Sequence, residues 1–338
     1  MIKSKVETKV SLILAHYNRE DLVLDTLNSI KNQTFHDFEC LIMDDCSTDS
    51  SPELLKNFCL NDSRFKYYRS DKNSRKYTSY NRGIKLAQSD YLIFIDNDDI
   101  FDNNYIAELY NAITANNSDM AVCNYNIWHC DTDEIIQPKL HGDAVNGGLR
   151  RKDDYIKKTW YLMFPPQVWT KIFRKDIIVD NDIRFVDVAR EGNLFIHKYQ
   201  YYCENIYVVD KYLVNYRLFS DINKHSSGGD YYDRTDVLYE MIGFKKKISE
   251  QKQIEAWNKY LTKFIYDIYT YRRNRVHTEE RDFTADEKVE FGDIINLARI
   301  EPESLPRGML EDIGWHKTAV KIRSFSQLKT KLRSLLRV

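Results

Sequence analysis

The sequence predicts an α/β fold in which a doubly wound, mostly parallel sheet is followed by a helical C-terminal region. Short apolar, β-branched runs alternate with helical patterns over residues 10–95, as in successive strand-helix units. Acidic residues directly follow two of these runs, and open α/β sheets bind ligands at the carboxyl ends of their strands. From residue 230 onward, apolar residues recur at steps of three and four, which is typical of amphipathic helices.

The N-terminal part of the chain is predicted to contain four strands. Each is a continuous apolar run, typical of a strand that is buried on both faces. Because the connections in such folds are right-handed, we expect the strands to run parallel, with their carboxyl ends at one edge. The predicted strands cover residues 10–14, 38–43, 64–68 and 91–95, and the predicted helices begin at Asn18 and cover 52–58 and 81–87.

The fourth predicted strand ends at Asp96, Asn97, Asp98 and Asp99. Packing several carboxylates together raises some of their pKa values, and such clusters usually persist because a cation binds there. Oxygen ligands on a short loop suit Mg²⁺ or Mn²⁺. The alternative is an ordinary helix start, since Asp is favoured at helix N-termini.

Composition excludes several classes of protein. The formal net charge of −1 argues against a nucleic-acid partner. Six scattered cysteines without a CxxC pair indicate reduced thiols, and we expect a cytoplasmic protein without a signal peptide or membrane span. The 24 tyrosines and 16 phenylalanines indicate either an aromatic core or carbohydrate-stacking surfaces.

Five segments occur in an order and at intervals that identify a family. They are residues 10–18 (VSLILAHYN), 29–35 (SIKNQTF), 39–51 (ECLIMDDCSTDSS), 80–99 (YNRGIKLAQSDYLIFIDNDD) and 168–175 (VWTKIFRK). The chain resembles family 2 glycosyltransferases of the Rossmann-like GT-A fold, which are inverting enzymes that use a nucleotide-sugar donor. From this resemblance we assign a GT-A catalytic domain to residues 1–228 and a helical region to residues 229–338. Within the catalytic domain, residues 9–102 would bind the nucleotide sugar and residues 103–228, approximately, would form the acceptor side.

The resemblance implies a donor site at the strand ends. Asp44 or Asp45 would accept the uracil N3–H, which favours a UDP-sugar, although both acids could instead cap a helix. Asn81 and Gly83 match the family's Asn-x-Gly segment beside the diphosphate, although Asn81 could simply begin a helix. The implied nucleotide-binding residues are Ala15, His16, Tyr17, Asn18, Asp44, Asp45, Asn81, Gly83, Asp96, Asn97 and Asp98.

Asp96 and Asp98 match the family's DxD motif, with Asp98 the direct metal ligand and Asp96 nearer the ribose. A bound Mn²⁺ or Mg²⁺ would neutralise the departing nucleoside diphosphate. His225 is a candidate further ligand, although an isolated His in a polar loop is commonly just exposed. Arg217 or Lys224 could offset phosphate charge.

The family supplies its catalytic base from a Glu-Asp pair before a helix. Glu191 matches the first position, but Gly192 stands where the Asp is expected. An inverting transfer needs one carboxylate to take the proton of the attacking acceptor hydroxyl. Glu191 is therefore the predicted base, with Asp187 or a catalytically weakened protein as alternatives.

The remaining segments give expectations for the acceptor side and the C-terminal region. Residues 207–209 and 212–216 are predicted edge strands, and Trp169 either stacks on a sugar or packs in the core. The C-terminal helices pack on the catalytic domain or on a second copy of the chain. The tail over 315–338 is a basic amphipathic helix that either contacts anionic lipid or is an ordinary packed helix.

Together these patterns predict an inverting, metal-dependent glycosyltransferase that extends a surface glycan, such as capsule or lipopolysaccharide, or a lipid-linked saccharide, at the inner face of the membrane. A sugar nucleotidyltransferase is the rival enzyme, but residues 15–20 lack the glycine-rich phosphate loop it needs. A degenerate binding or scaffold protein is the rival from another class, with Gly192 as its support.

Overall fold

The computed structural model of the protein describes residues 8–138, 146–153, 164–165, 167–186, 191–220, 235–279, 282–301 and 304–312. The chain divides into two compact units, Met1–Ser227 and Gly228–Val338. The predicted site residues all belong to the first unit. Among them, His225, Lys224 and Asp187 lie outside the described residues, as does the tail over 315–338.

Among the described residues, ten strands of the first unit form one sheet in the order β3-β2-β1-β4-β9-β6-β10-β5, with β7 paired to β6 and β8 paired to β10. Continuous apolar runs form its centre, where the strands at residues 10–16 and 38–44 are buried at every position and therefore on both faces. The strands are β1 (Val10–His16), β2 (Phe38–Asp44), β3 (Phe65–Arg69), β4 (Tyr91–Ile95), β5 (Ile100–Phe101), β6 (Met120–His129), β7 (Glu134–Ile136), β8 (Gly148–Arg151), β9 (Lys171–Arg174) and β10 (Asn205–Leu218).

The four predicted parallel strands are confirmed. β1 pairs in parallel with β2 on one side and with β4 on the other, and β3 extends the sheet beyond β2. In this register His16 lies beside Asp44, and Leu14 lies beside Ile95. The carboxyl ends of β1, β2 and β4 therefore meet at one edge of the sheet.

The prediction of two edge strands near residue 210 is wrong. Both segments belong to β10, which pairs in parallel with β6 and, on its other side, with β8 and β5. Its register with β6 is irregular between Val209 and Val214, where polar Asp210 and Lys211 interrupt the apolar run. A β-bulge of this kind makes one strand look like two in sequence.

The helices of the first unit mostly match the predicted pattern, with different starts. Asn18 does not begin the first helix, which starts at Val23, because Asn18 adopts a left-handed backbone with φ 46° and bonds to the next loop. The third helix begins five residues before the predicted Asn81. The helices are α1 (Val23–Lys31), α2 (Ser51–Leu60), α3 (Lys76–Leu86), α4 (Tyr105–Ala115), α5 (Lys175–Asp180) and α6 (Glu191–Tyr202), with a 3₁₀ turn at Val168–Thr170.

Aromatic rings fill the core of the first unit. The rings of Phe185 and Phe195 stack with centroids 4.0 Å apart, and Phe94 packs edge-on against both. Trp169 is only 3% exposed and lies against the rings of Tyr125 and Tyr216. Of the two roles weighed for Trp169, the structure supports core packing.

The second unit is helical. Apolar residues at helical spacing are buried between its helices, with Trp257 at the centre donating from its indole nitrogen to the carbonyl of Met241 at 3.0 Å. A capping box between Thr284 and Glu287 fixes one helix start. Within the described residues no helix is both long enough and apolar enough to span a bilayer. The helices are α7 (Thr235–Lys245), α8 (Gln251–Thr278), α9 (Ala285–Ala298) and α10 (Arg307–Asp312).

Candidate active site

An acid cluster follows β4 at the carboxyl edge of the parallel strands. Asp96, Asp98 and Asp99 each present a carboxylate oxygen, and these oxygens lie within 4.8 Å of one another. Burial, and after it the charge of Asp96, raises the pKa of Asp98. Burial, followed by the charges of Asp98 and Asp96, raises the pKa of Asp99 well above its usual range. The cluster therefore carries unrelieved repulsion.

Arg217, near the end of β10, holds the acid cluster in place. Its backbone N–H donates to Asp99 Oδ1 at 3.1 Å, and its buried guanidinium donates to the backbone carbonyl of Asp98. The same guanidinium donates to the carboxylate of Asp25 at 3.0 Å and to the carbonyl of Leu22 at 3.1 Å. These bonds and its burial make Arg217 a support for the acid loop, and its predicted part in offsetting phosphate charge stays a prediction.

Asp96 is held from the other side by α3. The hydroxyl of Tyr80 donates to Asp96 Oδ1 at 2.6 Å, and the ammonium of Lys76 forms an ion pair with the same oxygen. Lys76 and Tyr80 are four residues apart, so they lie on the same face of the helix. One carboxylate oxygen thus receives both a charged and a neutral donor from a single helix.

The acid cluster fits a hard divalent cation. All of its ligand atoms are carboxylate oxygens, which Mg²⁺ and Mn²⁺ prefer. Asp99 Oδ2 is buried and has no hydrogen-bond partner, which is costly for a carboxylate unless a cation or proton binds there. Asp96, Asp98 and Asp99 are therefore the residues that would hold the ion. Asp99 was not among the predicted ligands.

The acids that follow β2 have a different environment. Asp44 is fully buried, and its carboxylate accepts from the N–H of Ser47 at 2.9 Å and the hydroxyl of Tyr67 at 2.5 Å. Asp45 accepts from the N–H of Ser74 with both of its oxygens, at 2.9 and 3.0 Å. Asp45 is only 3% exposed, so a nucleotide base could bond to it only by displacing the N–H of Ser74, and Asp44 already bonds within its own loop.

The end of β1 approaches both loops. His16 is buried, and burial lowers its pKa to about 4, so that its imidazole is neutral and its Nδ1 accepts from the amide of Asn97 at 2.9 Å. Asn18 binds the loop after β2, accepting from the N–H of Thr48 at 2.8 Å. Ala15 is buried, whereas Tyr17 is 43% exposed and offers its ring to solvent. The structure thus brings the predicted residues of β1 and β4 together.

Asn81 and Gly83 have packing roles in α3. The Asn81 side chain donates to the carbonyl of Phe185 at 2.7 Å and accepts from its N–H at 3.1 Å. A Cβ on Gly83 would collide with the side chain of Ile13, so this glycine lets α3 lie directly on β1. Gly83 therefore serves the packing of helix on sheet, and Asn81 ties α3 to the segment that precedes α6.

Glu191 is the first residue of α6, and its side chain lies outside the described part of the chain. Gly192 follows it, and a Cβ there would lie 3.2 Å from Cγ1 of Val168. The aspartate that the resemblance led us to expect would press on Val168 at this point. The structure thus accounts for the glycine by close packing of α6 on the 3₁₀ turn.

Sequence reasoning missed Lys76, Tyr80 and Asp99. A signal for the first two was present, because they precede Asn81 at helical spacing, but the predicted helix began too late to include them. Asp99 was visible as the third acid of the cluster. Its orphaned oxygen, however, depends on burial, which the sequence does not show.

Comparison with known proteins agrees with this architecture. The family model described as "Glycosyl transferase family 2" matches residues 11–179. EpsH of Bacillus subtilis (strain 168) is 25% identical over 260 residues, which cover 76% of this chain and 74% of EpsH. The poly(ribitol-phosphate) β-N-acetylglucosaminyltransferase TarP of Staphylococcus aureus (strain N315) is 26% identical over 272 residues, which cover 76% of this chain and 79% of TarP.

The structure of S. aureus TarS 1-349 in complex with UDP-GlcNAc has a similar fold. It superposes with a TM-score of 0.69 over 88% of this chain and 82% of that one, at 20% sequence identity. The family match spans the parallel strands, the acid cluster and the 3₁₀ turn, and it covers half of the chain. The chain therefore belongs to glycosyl transferase family 2, and it is a glycosyltransferase with a GT-A fold and a helical C-terminal region.

Proposed function

We propose that this enzyme is an inverting glycosyltransferase that moves a sugar from a UDP-sugar to a hydroxyl of a surface glycan or lipid-linked saccharide, with Mn²⁺ or Mg²⁺ at the acid cluster. One observation carries the proposal. Three carboxylates, one with a buried unpartnered oxygen, lie at the carboxyl edge of a parallel sheet in a family 2 chain. That edge is where open α/β sheets bind nucleotides.

The donor's nucleotide would lie across the ends of β1 and β2. The exposed ring of Tyr17 offers a stacking surface for the base, and Asp45 offers an acceptor for a uracil N–H. The name of TarP and the UDP-GlcNAc bound to TarS support a UDP-linked sugar. These residues would place the diphosphate beside the acid cluster.

A bound divalent cation would neutralise the negative charge that develops on the departing diphosphate. Asp96, Asp98 and Asp99 would hold the ion, and Tyr80 and Lys76 position Asp96 for it. Arg217 keeps the loop rigid, so that its carboxylates do not rearrange when the donor leaves.

The acceptor would approach from the side of α6 and the 3₁₀ turn. Glu191 at the start of α6 would take the proton from the acceptor hydroxyl as this oxygen attacks the anomeric carbon. The name of TarP, whose acceptor is a ribitol-phosphate polymer, supports a surface glycan as acceptor. Contact of the tail with anionic lipid, and association of two copies of the chain, remain predictions.

A thermal-shift panel tests the donor site directly. UDP-GlcNAc, UDP-glucose, UDP-galactose, dTDP-glucose and GDP-mannose would each be added with and without Mn²⁺ to the wild type and to Asp98→Ala. A ligand at ~100 times its Kd should add ~2.7 kcal/mol to the free energy of unfolding. We expect metal-dependent stabilisation by a UDP-sugar in the wild type and its loss in Asp98→Ala.

Asp90→Ala is the matched control, because Asp90 is an exposed acid just before the opposite end of the same strand. It should keep the stabilisation in full. If no donor stabilises the wild type, the donor-site proposal fails. If a UDP-sugar stabilises it equally without metal, the metal part of the proposal fails.

A further inference from the structure

We infer that Lys76 is a displaceable counter-cation of the acid cluster. In the ligand-free protein it pairs with Asp96, and when a metal ion and nucleotide bind it moves to the donor's diphosphate. This inference rests on the proposed function, because it names a further binding residue of that donor site. Neither the sequence patterns nor the family match assigned a role to Lys76.

In the described part of the chain, Lys76 and Arg217 each bond to the acid loop, and they differ in their freedom to move. Arg217 is buried, and its guanidinium is bonded to the carbonyls of Asp98 and Leu22 and to the carboxylate of Asp25. Moving it would leave several buried polar groups unpaired. It is therefore a fixed part of the loop.

Lys76 has the opposite character. Its side chain is 41% exposed, and Asp96, its partner in the ion pair, is 22% exposed. An exposed ion pair of this kind contributes little to stability and exchanges readily, because water and other ions compete for both partners. Its flexible stem lets the ammonium reach a new partner without a change in the backbone of α3.

The position of Lys76 suits such an exchange. It is the first residue of α3, and its ammonium lies 5.5 Å from the ring centroid of Tyr80. Tyr80 donates to the same oxygen of Asp96, so Asp96 stays oriented when Lys76 leaves. The dipole of a helix also favours anions at its N-terminus, which is the end of α3 where Lys76 lies.

The charges predict the order of events. Without a metal ion, three carboxylates lie together and Lys76 is the cation that most lowers the pKa of Asp98. A divalent cation held by the cluster would take over this compensation and repel the ammonium. The diphosphate would bring new negative charge to the same place, and the released ammonium could bond to it.

The inference predicts opposite effects on two ligands, which a merely structural role of Lys76 would not produce. The variants are Lys76→Met, which keeps the stem but removes the charge, and Lys76→Arg, which keeps the charge. Tyr80→Phe is the control that removes a neutral donor from the same oxygen of Asp96. Isothermal titration would measure Mn²⁺ alone and then UDP at saturating Mn²⁺.

We expect Lys76→Met to bind Mn²⁺ alone about 3-fold more tightly and UDP about 10-fold more weakly than the wild type. Lys76→Arg should restore UDP binding, and Tyr80→Phe should not tighten Mn²⁺ binding. If Lys76→Met binds Mn²⁺ no more tightly, or UDP no more weakly, the inference is overturned while the donor site stands. If the wild type binds no UDP with Mn²⁺, the proposed function itself fails, and the inference with it.

Discussion

Two acidic loops lie at the same edge of the sheet, and their carboxylates differ in how far hydrogen bonds satisfy them. After β2, the carboxylates of Asp44, Asp45 and Asp49 accept hydrogen bonds from N–H and hydroxyl groups of their own surroundings. After β4, Asp98 and Asp99 repel one another, and Asp99 Oδ2 is buried without a partner. Both loops contain aspartates, but in the second loop the carboxylates repel one another and a buried oxygen lacks a hydrogen-bond partner.

The pKa values express this difference. At Asp49, burial alone would raise the pKa, but hydrogen bonds from Ser51 and from the N–H of Glu20 lower it overall. At Asp99, burial and neighbouring acids act in the same direction and raise the pKa. The proposed metal ion would therefore bind the β4 loop and not the β2 loop, so we expect metal binding and the shape of the β2 loop to be disrupted separately.

The largest expected effect is on catalysis and belongs to the β4 loop. Asp98→Asn keeps the size of the side chain but removes a charge from the cluster, and a catalytic metal contributes several kcal/mol of charge stabilisation in the transition state. We expect kcat/KM for sugar transfer to fall by about 10²–10³-fold. Nucleotide release, measured over a Mn²⁺ titration, checks this. An unchanged kcat/KM would show that the cluster does not hold the catalytic ion.

The next effect is on stability and belongs to the β2 loop. Asp44→Ala removes the acceptor for the N–H of Ser47 and the hydroxyl of Tyr67, and it leaves buried donors unpaired. We expect the free energy of unfolding to fall by about 2–3 kcal/mol. Urea denaturation measures this loss. The Mn²⁺ dependence of the residual activity should stay that of the wild type, and a shifted dependence would mean that the two loops are not independent.

The β4 loop also predicts a pH dependence. Because the folded-state pKa values of Asp98 and Asp99 are raised, the native state keeps its protons to higher pH than the unfolded chain does. Their contribution to stability is therefore present below the unfolded-state pKa of ~3.9 and is lost as the pH rises through the raised values.

In Asp98→Asn this loss should be smaller. The free energy of unfolding of the variant should therefore exceed that of the metal-free wild type by more as the pH rises. We expect an advantage of roughly 0.5–2 kcal/mol at pH 8 that shrinks towards pH 4. Urea unfolding at several pH values, with EDTA present, measures it. An advantage that is constant with pH would show that charge repulsion is not its cause.

The smallest expected effect returns to the β2 loop. Cys46 has φ 66°, a left-handed backbone that strains any residue with a Cβ. Cys46→Gly should relieve this strain and, after the entropy cost of glycine, stabilise the protein by roughly 0.5–1 kcal/mol. Thermal unfolding measures the gain. Cys46→Ala is the matched control, and an equal gain in that variant would point to the thiol rather than the backbone.

The sequence was sufficient for the parallel strands and for the acid cluster. Continuous apolar runs followed by acids are local patterns, and they predict both a strand and what lies at its end. Asp96 and Asp98 were predictable for this reason, as acids at the end of a buried strand.

What sequence could not show depends on contacts between distant residues. Arg217 supports an acid loop that lies more than a hundred positions earlier, and Asn81 binds the backbone of Phe185 across a similar separation. The irregularity in β10 made one strand look like two separate strands in the sequence. The two acidic loops differ because different hydrogen-bond donors surround their carboxylates. Only the folded chain determines which donors these are.

The bond between Asn81 and Phe185 has a kinetic consequence. It joins the helix that carries Lys76 to the segment six residues before Glu191. Phe185 in turn stacks on Phe195 of α6 with ring centroids 4.0 Å apart, so a shift of α3 on binding of a nucleotide sugar would reach α6. We therefore expect an ordered sequential mechanism in which the donor binds first and completes the acceptor site.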